Sequence, residues 1–288
     1  MFFDRYFNNC VYQMPRIFPN AAAENLVICV PGIGSRNGLS ALLSDTLPDL
    51  NMLEAGAQCF PLYLYGKNSN QQDAITDEGL AHFQTAYPGE VITKEDIFYY
   101  CYGLLHSEDY RTRYAANLSK ELPRIPAVKT ATDFWTFTQA GRDLANLHLN
   151  FETVEMYPAT IESSATAPEH YRVEKMKYAK KKENGKSVKD LTTIHYNHRI
   201  TIKDIPLGTY RYVVNGKPAI DWVVERQCVK TDKKSGIVND ANDWAIETMN
   251  NPKYPLELLL RVITVSLETM EIVDNLPKLD ITPKATHM

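Results

Sequence analysis

Catalytic signatures are missing from this sequence of 288 residues. It holds no HExxH, GxSxG, P-loop or Asp-x(n)-Glu-x-Lys pattern, so catalysis by this chain alone would need a site assembled from scattered residues. The five cysteines, Cys10, Cys29, Cys59, Cys101 and Cys228, never form a CxxC pair. That spacing points to neither a zinc site nor a disulfide framework, and they read as reduced core or boundary residues. His195 and His198 point to opposite faces of a predicted strand, poor geometry for one metal. No run approaches the roughly 18 apolar residues of a membrane span, and MFFDRYFNN lacks the basic start and apolar centre of a signal peptide. A cytoplasmic address is expected by default. Excess charge is also scarce, with 31 Lys and Arg against 35 Asp and Glu leaving −4.

What is present is segregated. From Arg172 to Lys234 there are 16 basic against 7 acidic residues, a local +9 on an otherwise acidic chain. Segregation of this kind is what an electrostatic footprint for a polyanion looks like, although the Lys180-Lys181-Lys182 run alone reads equally as a solvated loop.

Along the chain, Met1 to Tyr65 reads as strands and turns around the apolar Leu26 to Val30, followed by Pro31-Gly-Ile-Gly-Ser-Arg-Asn-Gly. Two readings stand here: a GxG cofactor turn with Glu54 accepting from a ribose, or a structural turn that presents Ser35, Arg36 and Asn37 to a partner. Gly66 to Tyr87 reads as a loop. Thr93-x-x-Asp96 resembles a capping box ahead of Ile97, Tyr100, Cys101, Leu104 and Leu105 at helical spacing, and second and third helices are expected over Ser107–Leu122 and Thr132–Leu149. After a small, polar linker, Tyr171 to Tyr178 alternates as a strand, the Lys180–Lys182 run falls at or beside a hairpin tip, and Thr192 to Ile202 returns as one strand. On that strand His195, Asn197, Arg199 and Thr201 would share a face, either an ordinary polar surface or one that reads base edges. Tyr212 to Val214, an Asn215-Gly216 turn and a helix from Pro218 burying Ile220, Val223 and Val224 come next. Lys230, Lys233 and Lys234 then lie on a loop ended by Gly236. Asp240 caps a helix over Trp244, Ile246 and Met249. Asn250-Asn251-Pro252-Lys253-Tyr254 reads as a connector, since Lys253 replaces the second proline of an adenine methyltransferase Asn-Pro-Pro-Tyr loop. Leu256 to Val273 forms a long buried helix, and residues after Asn275 read as a frayed tail.

The words YVVNGKPAIDWVVERQ, VKTDKKSGIVNDANDWAIE, YPLELLLRVITVSLETMEIV and EDIFYYCYGLLHSEDYRTRYAANLSKELPRIP resemble the C-terminal specificity region of type ISP restriction-modification enzymes. A V-x-G-x-G-S-R element like Val30 to Arg36 also occurs there. The resemblance runs from about Asp4 to Leu276 and implies a mixed α/β (α+β) target-recognition domain with strands, hairpins and helical bundle segments. Its lobes are expected over 1–150 and 151–276, with a tail over 277–288. It implies double-stranded DNA as partner, together with the methyltransferase and helicase-like modules that lie upstream in the family. S-adenosylmethionine, ATP and Mg2+ are expected only for those upstream modules, with no cofactor in this chain. The chain is then an excised domain or a truncated reading frame without catalysis of its own. Charge and side-chain type pick the DNA-contact candidates: Lys175, Lys177, Lys180, Lys181, Lys182, Lys230, Lys233 and Lys234 for phosphates, with Arg36, Asn37, Asn197 and Arg199 for bases. Two alternatives are an S-adenosylmethionine-dependent adenine methyltransferase fragment using Gly32, Gly34 and Asn251, and a module that only docks a larger complex.

Overall fold

A computed structural model describes residues 14–66 and 70–281, so Cys10 and the tail beyond Ile281 lie outside it. The fold is mixed α+β, built of helices and small antiparallel sheets, with no barrel among the described residues. Of the described residues, those up to Leu149 together with 272–281 form one compact unit, and Asn150–Glu271 forms the other. No described helix is long and apolar enough to cross a membrane.

The first unit begins with the short α1 (Met14–Ile17). Next comes a sheet of β1 (Val27–Val30) between β2 (Leu42–Ser44) and β3 (Gln58–Pro61). The unbroken apolar run of β1 is buried throughout, as a central strand requires. Cys29 and Cys59, thirty residues apart, face each other across β1 and β3 as free thiols with their Sγ atoms 3.9 Å apart. The strands β4 (Tyr63–Tyr65) and β5 (Gln71–Asp73) pair as a second ladder.

The stretch expected as a loop then forms α2 (Asp77–Ala86), because Thr76 accepts from the Gly79 N–H and Asp77 and Glu78 occupy the first turn. Only Phe83 of that helix is buried, so apolar periodicity could not announce it. Thr93 and Asp96 do form the reciprocal capping box of α3 (Lys94–His106). The single helix expected over Ser107–Leu122 is instead α4 (Glu108–Arg113) and α5 (Ala115–Leu118), parted at Tyr114. Of its apolar residues Tyr110, Tyr114 and Leu118, only Tyr110 is buried, too little to carry one helix through.

The long α6 (Ala131–Leu149) buries Phe134, Phe137, Leu144 and Leu147 as its spacing predicts. It crosses α3 at two glycines: a Cβ on Gly103 would stand 2.1 Å from the Phe137 carbonyl oxygen, and one on Gly141 would stand 1.9 Å from that of Tyr99. Tyr100 stacks on Phe134 at this crossing with ring centres 4.9 Å apart. The hydroxyls of Tyr110, Tyr100 and Tyr87 donate to the alternate carbonyls of Arg124, Pro126 and Val128, which tie an extended segment to the helices. The expected frayed tail is docked over its described part: Ile281 bridges Val128, and the Leu279 N–H donates to Asp109.

The second unit holds a sheet in the order β6 (Thr160–Ser163), β9 (Ile200–Lys203), β8 (Lys186–His195), β7 (Lys177–Glu183). Of the strand expected over Tyr171 to Tyr178, only the end is realised, where Lys177 and Tyr178 open β7; a 3-10 turn, Pro168–Tyr171, and irregular chain with a bridge at Lys175 precede it. After β9, a turn with Asn215 and Gly216 at φ of 51° and 77° joins β10 (Val213–Val214) to β11 (Lys217–Pro218). The helix α7 (Ala219–Arg226) buries Ile220, Val223 and Val224 as expected. The basic loop that follows is a hairpin of β12 (Val229–Thr231) and β13 (Val238–Asp240).

Asp240 caps α8 (Ala241–Glu247) as expected, although the helix ends before Met249; Trp244 and Ile246 are exposed while Asn242 and Ala245 are buried. The reason is polar, since the Asn242 side chain mimics a strand partner, accepting from the Val173 N–H at 2.8 Å and donating to its carbonyl at 2.9 Å. Asn250 to Lys253 connects α8 to α9 (Tyr254–Asp274), which buries Leu256, Leu259, Leu260, Ile263 and Met270.

Candidate nucleic-acid interface

In the second unit the ladder of β7 and β8 outruns its neighbours. The pairs of β9 with β8 end at Ile194 and His195, whereas β7 and β8 stay paired out to Glu183 and Lys186, leaving residues 179–190 as a two-stranded ribbon. Asn184 and Gly185, at φ of 50° and 76°, make the two-residue turn at its tip, where a primed hairpin turn needs positive φ twice. A bulge between Tyr178 and Ala179 marks the root. There the Tyr178 hydroxyl donates to Asp221 at 2.6 Å, and the Tyr210 hydroxyl donates to the Leu191 carbonyl at 2.6 Å.

Register and alternation sort the ribbon's charges by face. Lys180 stands opposite Lys189 and Lys182 opposite Ser187, all on the side of Tyr178, whose ring centre lies 4.9 Å from the Lys189 Nζ. The other side carries Lys181, Lys186 and both acids, Glu183 and Asp190, with Lys181 in an ion pair with Glu183 at 2.8 Å. One face therefore presents three lysines and no acid. Like charges directly opposite on paired strands destabilise a ladder, and neither Lys180 nor Lys182 has a carboxylate partner among the described residues. Lys189 was missed by sequence reading, yet counting outward from the Asn184-Gly185 turn would have placed it opposite Lys180.

Lys177 continues the opposite side of β7, exposed and paired with His195. Lys175 is exposed beside its bridge to Cys228. Lys230 lies on β12 opposite Asn239, while Lys233 and Lys234 sit at the hairpin tip, shaped by Asp232, whose Oδ1 accepts from the Lys234 and Ser235 N–H groups. These donors hold the Asp232 carboxyl below its usual range.

The strand expected over Thr192 to Ile202 turns sharply between His195 and Ile200, so Asn197 and Arg199 do not share a strand face with His195 and Thr201. Asn197 builds that turn: it donates to the carbonyls of His170 and Arg172 and accepts from the N–H groups of Arg199 and Ile200. Its amide is fully committed, which removes it as a base reader. The Arg199 side chain makes no ion pair with Asp204 or any other described residue.

In the first unit, residues 31–38 wrap around the Glu54 carboxylate. Its Oε2 accepts from the Ser35 hydroxyl at 2.9 Å and from the N–H groups of Arg36 at 2.8 Å and Asn37 at 3.0 Å. The Ser35 hydroxyl first, then the Arg36 N–H, hold this carboxyl below its ordinary value. Gly32 is required by close approach, because a Cβ there would stand 1.9 Å from the Ala55 carbonyl oxygen. Glu54 thus binds its own loop where the cofactor reading would have it bind a ribose, and Arg36 and Asn37 project into solvent. Asn251 is likewise occupied, donating to Glu257 and accepting from the Lys253 N–H. No group of three or more His, Cys, Asp or Glu able to hold a metal occurs among the described residues.

The family model described as the type ISP C-terminal specificity domain matches residues 1–258. The chain belongs to this family. Solved structures similar to this specificity domain include a nuclease-deletion mutant of the type ISP restriction-modification enzyme LlaGI in complex with a DNA substrate mimic, 38% identical with a TM-score of 0.78. The alignment covers 97% of this chain and 20% of that one. The ATP-dependent type ISP enzyme LlaBIII bound to DNA is 40% identical at a TM-score of 0.81, over 94% of this chain and 17% of that one. A DrdV–DNA complex is 33% identical at a TM-score of 0.80, over 96% and 27% respectively. The specificity domain spans about a fifth of the length of the first of these. No curated protein matches it.

Proposed function

We propose that this specificity domain recognises a short sequence in double-stranded DNA and presents it to the methyltransferase and helicase-like modules of a longer cytoplasmic restriction-modification polypeptide. S-adenosylmethionine, ATP and Mg2+ would serve those modules. The observation that carries the reading is the lysine face of the ribbon, a concentration of unpaired positive charge on a family fold whose solved neighbours are described in complex with DNA. Phosphate contacts fall to Lys175, Lys180, Lys182, Lys230, Lys233 and Lys234, joined by Lys189, whereas Lys181, paired with Glu183, and Lys177, on the same side of β7, are set aside. Base contacts fall to Arg36, Asn37 and Arg199. The two compact units are proposed as the two lobes of the recognition domain.

A randomised duplex library equilibrated with the chain tests this: one short motif should be enriched. Binding without any enrichment would reduce the chain to a generic basic surface and sink the reading. The methyltransferase-fragment reading loses support because Glu54 and Asn251 are engaged internally. Saturable binding of S-adenosylmethionine in a calorimetric titration would restore it.

A further inference from the structure

The two faces of the β7–β8 ribbon are chemically unequal, and the inequality assigns them different tasks. We infer that the ribbon lies along the phosphate backbone of one duplex DNA strand through the Tyr178 side, with Lys180, Lys182 and Lys189 as a three-cation contact, while its opposite side stays in solvent. The inference rests on the DNA reading above and deepens it.

Four observations support the assignment. First, residues 179–190 project past the strands that flank their root, so the ribbon can approach a duplex without moving the rest of its sheet. Second, Lys180 and Lys189 are directly opposed with no acid on their face, an arrangement that costs stability in the free protein and that a polyanion relieves. Third, spacing fits: alternate residues on a strand lie about 7 Å apart. That is close to twice the roughly 3.4 Å of helix axis per phosphate on one strand, so Lys180 and Lys182 can reach different phosphates. Fourth, the root is anchored, with Tyr178 held by Asp221 and Tyr210 held on the Leu191 carbonyl, so the lysines are displayed from a fixed base. The far side cannot serve equally, because Glu183 pairs with Lys181 and Asp190 lies on the same face. Lysine on phosphate acts as a point charge and carries no sequence information, so this surface positions the duplex for base readers elsewhere.

The test uses the full 288-residue chain and a random-sequence duplex, with affinity measured by fluorescence anisotropy across a salt series. Replacing the three lysines by glutamine (K180Q, K182Q, K189Q together) should lower the slope of log affinity against log salt by about 2.7, since each phosphate left without its lysine removes about 0.9 from the slope. The opposite-face pair K181Q with K186Q should leave the slope within error. All five side chains are exposed, and unchanged melting curves would confirm that the variants fold. If the opposite-face pair lowers the slope about two-thirds as much as the triple, net charge acts without regard to face and the assignment is wrong. A triple variant with an unaltered slope also overturns it while leaving the DNA reading intact. If the unsubstituted chain fails to bind the duplex even at low salt, the DNA reading itself fails, and this inference with it.

Discussion

His106 shows how a buried side chain contributes to the pH response of the first unit. The residue is 2% exposed, its Nδ1–H donates to the Tyr102 carbonyl at 2.8 Å, and its Nε2 has no partner among the described residues. Burial first, then the nearby Arg111 charge and His148, hold its pKa well below 6.5. The folded protein therefore keeps this imidazole neutral where the unfolded chain takes up a proton. His106 costs nothing above about pH 6.5 and, as pH falls below it, destabilises the fold by up to about 1.4 kcal/mol per pH unit until the folded-state pKa is reached. His148, whose pKa is held down to about 3 chiefly by burial, acts in the same window. Urea unfolding at a series of pH values should show the summed slope, and His106→Asn, which can keep a donor to Tyr102, should remove about half of it between pH 6.5 and 5. An unflattened profile would assign the acid sensitivity to other groups.

At the scale of elements, the crossing of α3 and α6 depends on two glycines with no room for a methyl group. Gly141→Ala would drive its Cβ into the Tyr99 carbonyl, and because backbone faces backbone no side-chain rotation relieves the clash. A destabilisation of about 3 kcal/mol or more is expected, read as a fall in melting temperature, whereas Ala at the exposed Gly66, whose φ lies outside the left-handed region and whose Cβ would meet nothing nearer than the Asn70 carbonyl oxygen at 3.7 Å, should cost far less. Equal effects at both positions would mean that the crossing is not tight.

Which elements were legible in the sequence follows from where their determinants lie. The capping box of α3, the Asn184-Gly185 hairpin and the apolar faces of α6 and α9 are local patterns, and all were readable. The turn at Asn197 was not, because it is made by carbonyls of His170 and Arg172 some 25 residues away, against a strong strand-like alternation. For α8 the Asp240 cap was readable, but its buried face is set by pairing of Asn242 with Val173, 69 residues away. Among the site residues, the lysine run was plain from composition. Its division into a face of lysines alone and a face that carries Glu183 and Asp190 needed the register.

For the molecule as a whole, an overall charge of −4 and a DNA partner are compatible because residues 172–234 carry a net +9 while the remainder is acidic. Phosphate-directed lysines supply affinity and salt dependence but discriminate little between sequences, so a recognition domain also needs side chains with fixed donor geometry. Arg199 is the strongest such candidate in the second unit. It stands in the turn that Asn197 fastens to the chain at 170–172, and it forms no ion pair with a described residue, so its guanidinium is free for a bidentate contact with guanine. Arg199→Ala should relax preference at one base position by about 1–3 kcal/mol while leaving the salt slope and melting temperature nearly unchanged. The lysine-face triple variant should do the converse, lowering the slope with preference intact. Selection from a randomised duplex library, a salt series and a melting curve on each variant separate the two roles. A loss of melting temperature with unchanged preference in Arg199→Ala would make that residue a structural part of the turn and move base reading to Arg36 and Asn37.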